Sequence, residues 1–156
     1  MMPAERALTF RCQDETLVGI LSLPARPHPG ARGVVIVVGG PQVRTGSHRQ
    51  FTLLARALAA GGTPVLRFDY RGMGDSGGAV RGFEDVEADL RAAIDCLQRE
   101  VPAVREVALW GLCDGASAAA LYAADDARVR GLALLNPWVR TEEGAARATL
   151  QHYYRQ

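Results

Sequence analysis

Val107–Ala124 reads VALWGLCDGASAAALYAA, and this stretch decides the fold. Val107–Trp110 is a short apolar run of strand length. Ala116–Ala124 is made of small residues with high helix propensity. Between them stands Gly111-Leu112-Cys113-Asp114-Gly115, a G-x-C-x-G spacing. That spacing suits a strand that turns at once into a helix, leaving the central side chain clear of the sheet. The central residue then takes a strained backbone, and its neighbours two before and two after must lack bulk because strand and helix nearly touch. Cys113 is on this reading a candidate nucleophile at a helix N-terminus, where the dipole favours a thiolate. The Asp114 carboxylate opposes that effect, and we expect it to turn towards solvent. The plainer reading, a small buried cysteine in an ordinary strand-to-helix turn, stays open.

Outward from this segment, strands and helices alternate. Leu17–Leu23 reads as a strand, and Gly33–Val38 (GVVIVV) is a β-branched run of the kind buried on both faces. A helix is expected over Phe51–Ala60, with Ser47 and Gln50 at the spacing of a capping box. Pro64–Phe68 is the next strand. Phe83–Arg99 carries apolar residues at helical spacing, Leu132–Leu135 reads as a strand, and Glu142–Arg155 as a last helix. Such alternation implies an α/β fold, a mostly parallel sheet with helices on both faces. Functional residues then sit in the loops after Val38, Phe68 and Trp110, beyond the carboxyl ends of strands.

The first of these loops, Gly39-Gly40-Pro41-Gln42, can place a backbone N–H beside the turn at Cys113. Pro41 has no N–H, so Gly40 is the expected donor and Gln42 the reserve; the second donor would be Asp114. A plain tight turn at Gly39-Gly40-Pro41 is the alternative. The second loop, Gly72–Gly77, formally matches G-x-G-x-x-G after a strand. A dinucleotide site would need it to open a helix directly. Gly78 and Gly82 prolong the loop instead, and Asp75 sets a negative charge where a pyrophosphate would lie, so we expect a structural turn and no cofactor.

With 156 residues, 48% of them apolar and 22% charged, the chain suits one globular domain of about 150 residues. All eighteen of its basic residues are arginine, and the formal net charge is +1 without a basic block, so no nucleic-acid footprint is visible. The charged N-terminal stretch has no signal-peptide core, and no apolar run is long enough to span a bilayer. Cys12, Cys96 and Cys113 are odd in number and lack zinc-ligand spacing, so neither a disulfide framework nor a metal site is expected. A cytoplasmic location follows as the default.

VVGGP, GSHRQF, FDYRGMGDS, WGLCDGASAA and NPWVRTEEG, in that order, resemble the α/β-hydrolase superfamily, and most of all the type 1 exosortase A system-associated hydrolases. The resemblance runs from Leu17 to the terminal helix. It implies a cytoplasmic bacterial hydrolase encoded with exopolysaccharide and protein-sorting genes. Two positions depart from the wider superfamily: Val38 stands where many members have histidine, and Cys113 replaces serine, as in dienelactone hydrolases.

The family order is nucleophile, acid, histidine. Downstream of Cys113 the lone histidine is His152, where the family begins its cap; it reads as a helix-surface residue, as His48 and His28 read as solvated. We therefore expect residues 1–156 to be the N-terminal part of one α/β-hydrolase domain, C-terminally truncated, with a cap starting at about 140–156 and the acid and histidine beyond residue 156. The expected chemistry is hydrolysis of a small-molecule ester or thioester through Cys113, with Gly40 and Asp114 holding the oxyanion and Gly111 and Gly115 shaping the turn. The chain alone would then be inactive. The competing class is a non-catalytic binding or scaffold protein on the same fold. Oligomeric state and substrate identity are not legible in the residues.

Overall fold

The β-branched run at Gly33–Val37 forms the strand on which the sheet is centred, with Val35, Ile36 and Val37 fully buried. The structure, a computed structural model, describes residues 3–26, 30 and 32–138. Among them six strands form one sheet: β1 (Ala4–Cys12), β2 (Glu15–Leu23), β3 (Gly33–Val37), β4 (Val65–Phe68), β5 (Val107–Leu112) and β6 (Val129–Leu135). Their order is β1-β2-β4-β3-β5-β6. β3 pairs in parallel with β4 and β5, and β5 with β6, whereas the β1–β2 and β2–β4 pairings are antiparallel. The helices are α1 (Gln50–Ala60), α2 (Glu87–Glu100) and α3 (Asp114–Tyr122).

Alternation along β5 separates the two faces. Trp110 points towards α1, where its ring meets Phe51 edge-on at 5.5 Å. Gly111, one residue on, faces α3: an added Cβ would lie 2.6 Å from the Ala116 nitrogen. α2 packs beside α3 and buries Leu90, Ala93, Ile94 and Leu97, one stripe at helical spacing. Helices thus cover both faces, as expected.

Three local expectations need correction. The stretch Ala4–Cys12 is a strand that the pattern reading missed. It is joined to β2 by a two-residue turn whose Gln13 has φ 55, and Phe10 and Cys12 turn inward while Glu5, Arg6 and Arg11 line an exposed edge. The capping box at Ser47 and Gln50 is absent. Ser47 opens a 3-10 turn, Arg49 is the N-cap in a left-handed conformation, and the Phe51 and Thr52 N–H groups donate instead to the Thr45 carbonyl at 3.2 and 3.4 Å. α3 begins at Asp114, directly after Cys113, rather than at Ala116. The expected helix Glu142–Arg155 lies outside the described residues.

The loop after β4 opens no helix; α2 starts only at Glu87, after a short 3-10 turn at Phe83–Asp85. It is a clamp. Buried Asp69 accepts the Arg44 N–H at 2.6 Å and pairs with the Arg44 guanidinium, which also reaches Asp75 at 2.5 Å. Ser76 Oγ donates to the Asp69 carbonyl at 2.8 Å and accepts the Val18 N–H at 2.9 Å. Buried Arg71 pairs with fully buried Asp89 of α2 at 2.7 Å and donates to Gln13 at the hairpin turn.

A buried pair loses most when one partner is removed, because the other charge is left uncompensated. Asp89→Leu should therefore lower stability by about 3–5 kcal/mol in urea denaturation, and Arg71→Met added to it should restore most of the loss. At the far edge, β6 exposes Leu132 and Leu135 by 44% and 42%, and no strand among the described residues pairs with its outer side. Apolar edges invite association. Light scattering should show self-association of the chain, and Leu132→Lys with Leu135→Glu should shift it towards monomer; a monomeric unsubstituted chain would refute this.

Candidate active site

β3 and β5 are parallel neighbours, so the loops that follow them emerge side by side at the carboxyl edge of the sheet. Cys113 sits at the turn after β5 with φ 51 and ψ −119, outside the regions open to ordinary L-residues. Two sets of bonds hold it there. Its N–H donates to the Leu135 carbonyl at 2.9 Å, and its carbonyl accepts the Ala116 and Ser117 N–H groups at 2.9 and 3.1 Å. Its side chain is half-buried.

Close approach explains the flanking glycines. A Cβ on Gly111 would collide with the Gly115 carbonyl, and one on Gly115 with the Val37 carbonyl. One on Gly39 would collide with the Gly115 nitrogen and lie 3.1 Å from the Asp114 Cβ. The first loop therefore lies directly against the turn at 112–115. Below it, the buried Tyr70 hydroxyl donates to the Val38 carbonyl. Burial, helped by the charges of Asp89 and Asp114, pushes the Tyr70 phenol far up and keeps it a neutral donor.

Among the two expected donors, Asp114 is the first residue of α3, where a backbone N–H has no intrahelical acceptor. Gly40 has φ 57, and its N–H meets no acceptor among the described residues. The reserve, Gln42, donates its N–H to the Gly39 carbonyl at 3.4 Å, so that group is engaged within the loop's own turn.

The Asp114 side chain, expected in solvent, is half-buried and bonded. Its Oδ1 accepts the Trp138 indole N–H at 2.6 Å, and its Oδ2 lies 3.6 Å from where a Cβ on Gly40 would stand. Trp138 is anchored in turn. Its N–H donates to Ser117 Oγ at 2.9 Å, the Ser117 hydroxyl donates to its carbonyl, and its ring meets Phe83 edge-on at 5.2 Å.

Asn136 is a neighbour that sequence reasoning missed. Its Nδ2 donates to Cys113 Sγ at 3.6 Å from a backbone with φ 51. The signal was the Asn-Pro pair after an apolar strand, which reads as no more than a turn. Beside these residues opens a cavity of about 630 Å³ bounded by Gly40, Val43, Met73, Phe83, Asp114 and Trp138. A larger groove of about 890 Å³ lies between the hairpin turn and α2 and carries charges of both signs, among them Arg11, Arg91, Glu87 and Asp95.

His48 is exposed in the 3-10 turn before α1, while His28, His152 and the expected cap at 140–156 lie outside the described residues. Among the described residues no cluster of three metal-ligating side chains occurs, and no helix is long and apolar enough to cross a membrane.

A family model described as serine aminopeptidase, S33, matches residues 29–154. Solved structures of similar fold include an esterase from Pyrococcus furiosus, 20% identical with a TM-score of 0.78; the match covers 99% of this chain and 60% of that one. An α/β hydrolase from Penicillium sp. sh18 is 22% identical with a TM-score of 0.77, over 97% of this chain and 53% of that one. Est1E from Butyrivibrio proteoclasticus, solved with ferulic acid bound, is 20% identical with a TM-score of 0.73, over 84% and 53%. The chain thus spans between 53% and 60% of the length of these proteins. No curated protein matches it. The sheet order, the covering helices and the matched residues together lead to one conclusion: the chain has the α/β-hydrolase fold and belongs to the hydrolase family described as serine aminopeptidase, S33.

Proposed function

We propose that this chain is the nucleophile-bearing, N-terminal part of an acyl hydrolase that cleaves small esters or thioesters through Cys113. The observation that carries the reading is the strained backbone of Cys113 at the start of α3, with the Asp114 N–H beside it and Gly40 on the loop packed against it. Strain is retained where the surrounding structure over-determines it, and such positions cluster at functional sites.

In the proposed reaction the Cys113 sulfur forms a bond to the substrate carbonyl carbon, and the carbonyl oxygen becomes an oxyanion held by the Gly40 and Asp114 N–H groups. Collapse breaks the bond to the leaving group, which departs as alcohol or thiol after taking a proton. Water then attacks the acyl-thioester, releasing the acid and returning the sulfur. Asn136, 3.6 Å from the sulfur, orients it. The family's description names a serine, and on this reading Cys113, at the centre of the G-x-C-x-G turn, takes that role.

On this reading residues 1–156 form one part of a single domain, with a cap beginning at about 140, and the proton-relaying histidine and its acid follow Gln156. The chain alone would then turn over slowly, because residual catalysis rests on the oxyanion donors and binding. The resemblance to exosortase A system-associated hydrolases supports a cytoplasmic bacterial setting, and the acyl substrate follows from the cysteine chemistry proposed above. The non-catalytic alternative, a binding or scaffold protein, predicts an unreactive Cys113.

Selective alkylation separates the two. Cys12 and Cys96 are buried, and burial pushes the Cys12 thiol up and that of Cys96 up to about 11. A sub-stoichiometric dose of iodoacetamide near neutral pH should therefore label Cys113 first, as read by peptide mapping. p-Nitrophenyl acetate should likewise leave an acetyl group on Cys113, and Cys113→Ala should abolish it. Faster labelling of Cys12 or Cys96, with Cys113 protected, would remove the nucleophile assignment and leave the fold alone.

A further inference from the structure

The cavity beside the 112–115 turn has an apolar wall, and the Asp114 carboxylate is set into it next to Gly40. Val43, Met73, Val80 and Phe83 supply the hydrocarbon surface, and Asp114 lies among them next to Gly40. The Trp138 indole holds one carboxylate oxygen at 2.6 Å, and the other faces the Gly40 loop. Ser117 and Phe83 anchor Trp138, so the carboxylate is tethered to a fixed indole. Asp114 forms no ion pair among the described residues.

A carboxylate with no ion-pair partner among the described residues, set at the border of the cavity, biases the potential there towards negative. That field is felt at the cavity floor, where the Asp114 charge helps to raise the buried Tyr70 phenol. Arg81 and Glu84 also border the cavity, and both are exposed there. The charge next to the candidate oxyanion donors is thus the negative, tethered one of Asp114.

We infer that Asp114 is a specificity-determining residue that excludes negatively charged acyl groups from Cys113 and admits neutral or positively charged ones with an apolar body. The inference rests on the reading of Cys113 as nucleophile, and it assigns the Asp114 side chain a role separate from that of its backbone N–H. An acyl group bearing a carboxylate would meet like charge beside the sulfur. A hydrocarbon acyl chain meets the apolar wall instead, and an ammonium group meets the Asp114 carboxylate.

The test compares two thiol reagents of similar size, the cationic trimethylammonioethyl and the anionic sulfonatoethyl methanethiosulfonates. Each forms a mixed disulfide with Cys113 and releases methanesulfinate, so the readout requires no turnover. With rates normalised to free cysteine, the cation-to-anion ratio at Cys113 should be about tenfold above unity at low ionic strength. It should fall towards unity in Asp114→Asn, which keeps the backbone N–H and an acceptor for Trp138. It should fall in the unsubstituted chain as well at 1 M salt, where screening acts over about 3 Å. This arm stands even if the variant fails to fold. A ratio near unity in the unsubstituted chain overturns the inference, as does a ratio that survives Asp114→Asn but is lost in Glu84→Gln. Failure of the nucleophile reading looks different: no acetyl adduct forms at Cys113 while the charge ratio persists.

Discussion

Backbone contact between the end of β3 and the start of α3 is the constraint on which the rest of the site depends. Gly39 and Gly115 are the places where these two segments of main chain touch, and Gly111 is where the end of β5 meets α3; any Cβ there would strike a carbonyl or a nitrogen of the facing segment. The contact brings the Gly40 loop to the turn that carries Cys113, and it aligns the first N–H groups of α3 with the same space. Strain at Cys113 is held by bonds on both sides of the turn, from its N–H to β6 and from its carbonyl to α3. The unusual conformation is thus a consequence of fixed neighbours and not of the cysteine itself.

The loop after β4 makes that contact durable. Asp69 draws Arg44 in from the first loop, Ser76 ties the loop's end to β2, and Tyr70 reaches beneath the sheet edge to hold the Val38 carbonyl. Arg71 and Asp89 join the same loop to α2. Asp69, Tyr70, Arg71 and Asp89 are buried and each has a partner, which is the condition under which buried polar groups specify one arrangement instead of weakening it. FDYRGMGDS therefore reads, residue by residue, as a bracket between the site's loops. Its glycines serve turns such as that at Gly74, where a Cβ would strike the Asp69 carboxylate.

Asp114 shows how one residue can present two chemistries. Its backbone N–H is a donor at a helix start, where negative charge is favoured, while its side chain sets a negative charge on the neighbouring wall. The two point into different parts of the same space because Trp138 fixes the carboxylate. A residue free to rotate would let the charge relax into water. Tethered by an indole that is itself anchored to Ser117, it becomes part of the cavity's shape.

The amino-acid sequence by itself determined the parallel core, the strand-to-helix turn and the residues at its centre. These rest on local patterns: a β-branched run for β3, a helical stripe in α2, and two glycines around Cys113. Ala4–Cys12 escaped because its inward Phe10 and Cys12 are few among charged neighbours, and only pairing with β2 identifies it as a strand. The helix cap failed for a related reason, since the Thr45 carbonyl outcompeted a side chain of the right spacing. Asn136 at the sulfur, Trp138 on the Asp114 carboxylate and Ser117 behind Trp138 were decided by tertiary structure alone. Each joins residues more than twenty positions apart, and no local periodicity records a contact that exists only once β6 has brought its carboxyl end beside the start of α3.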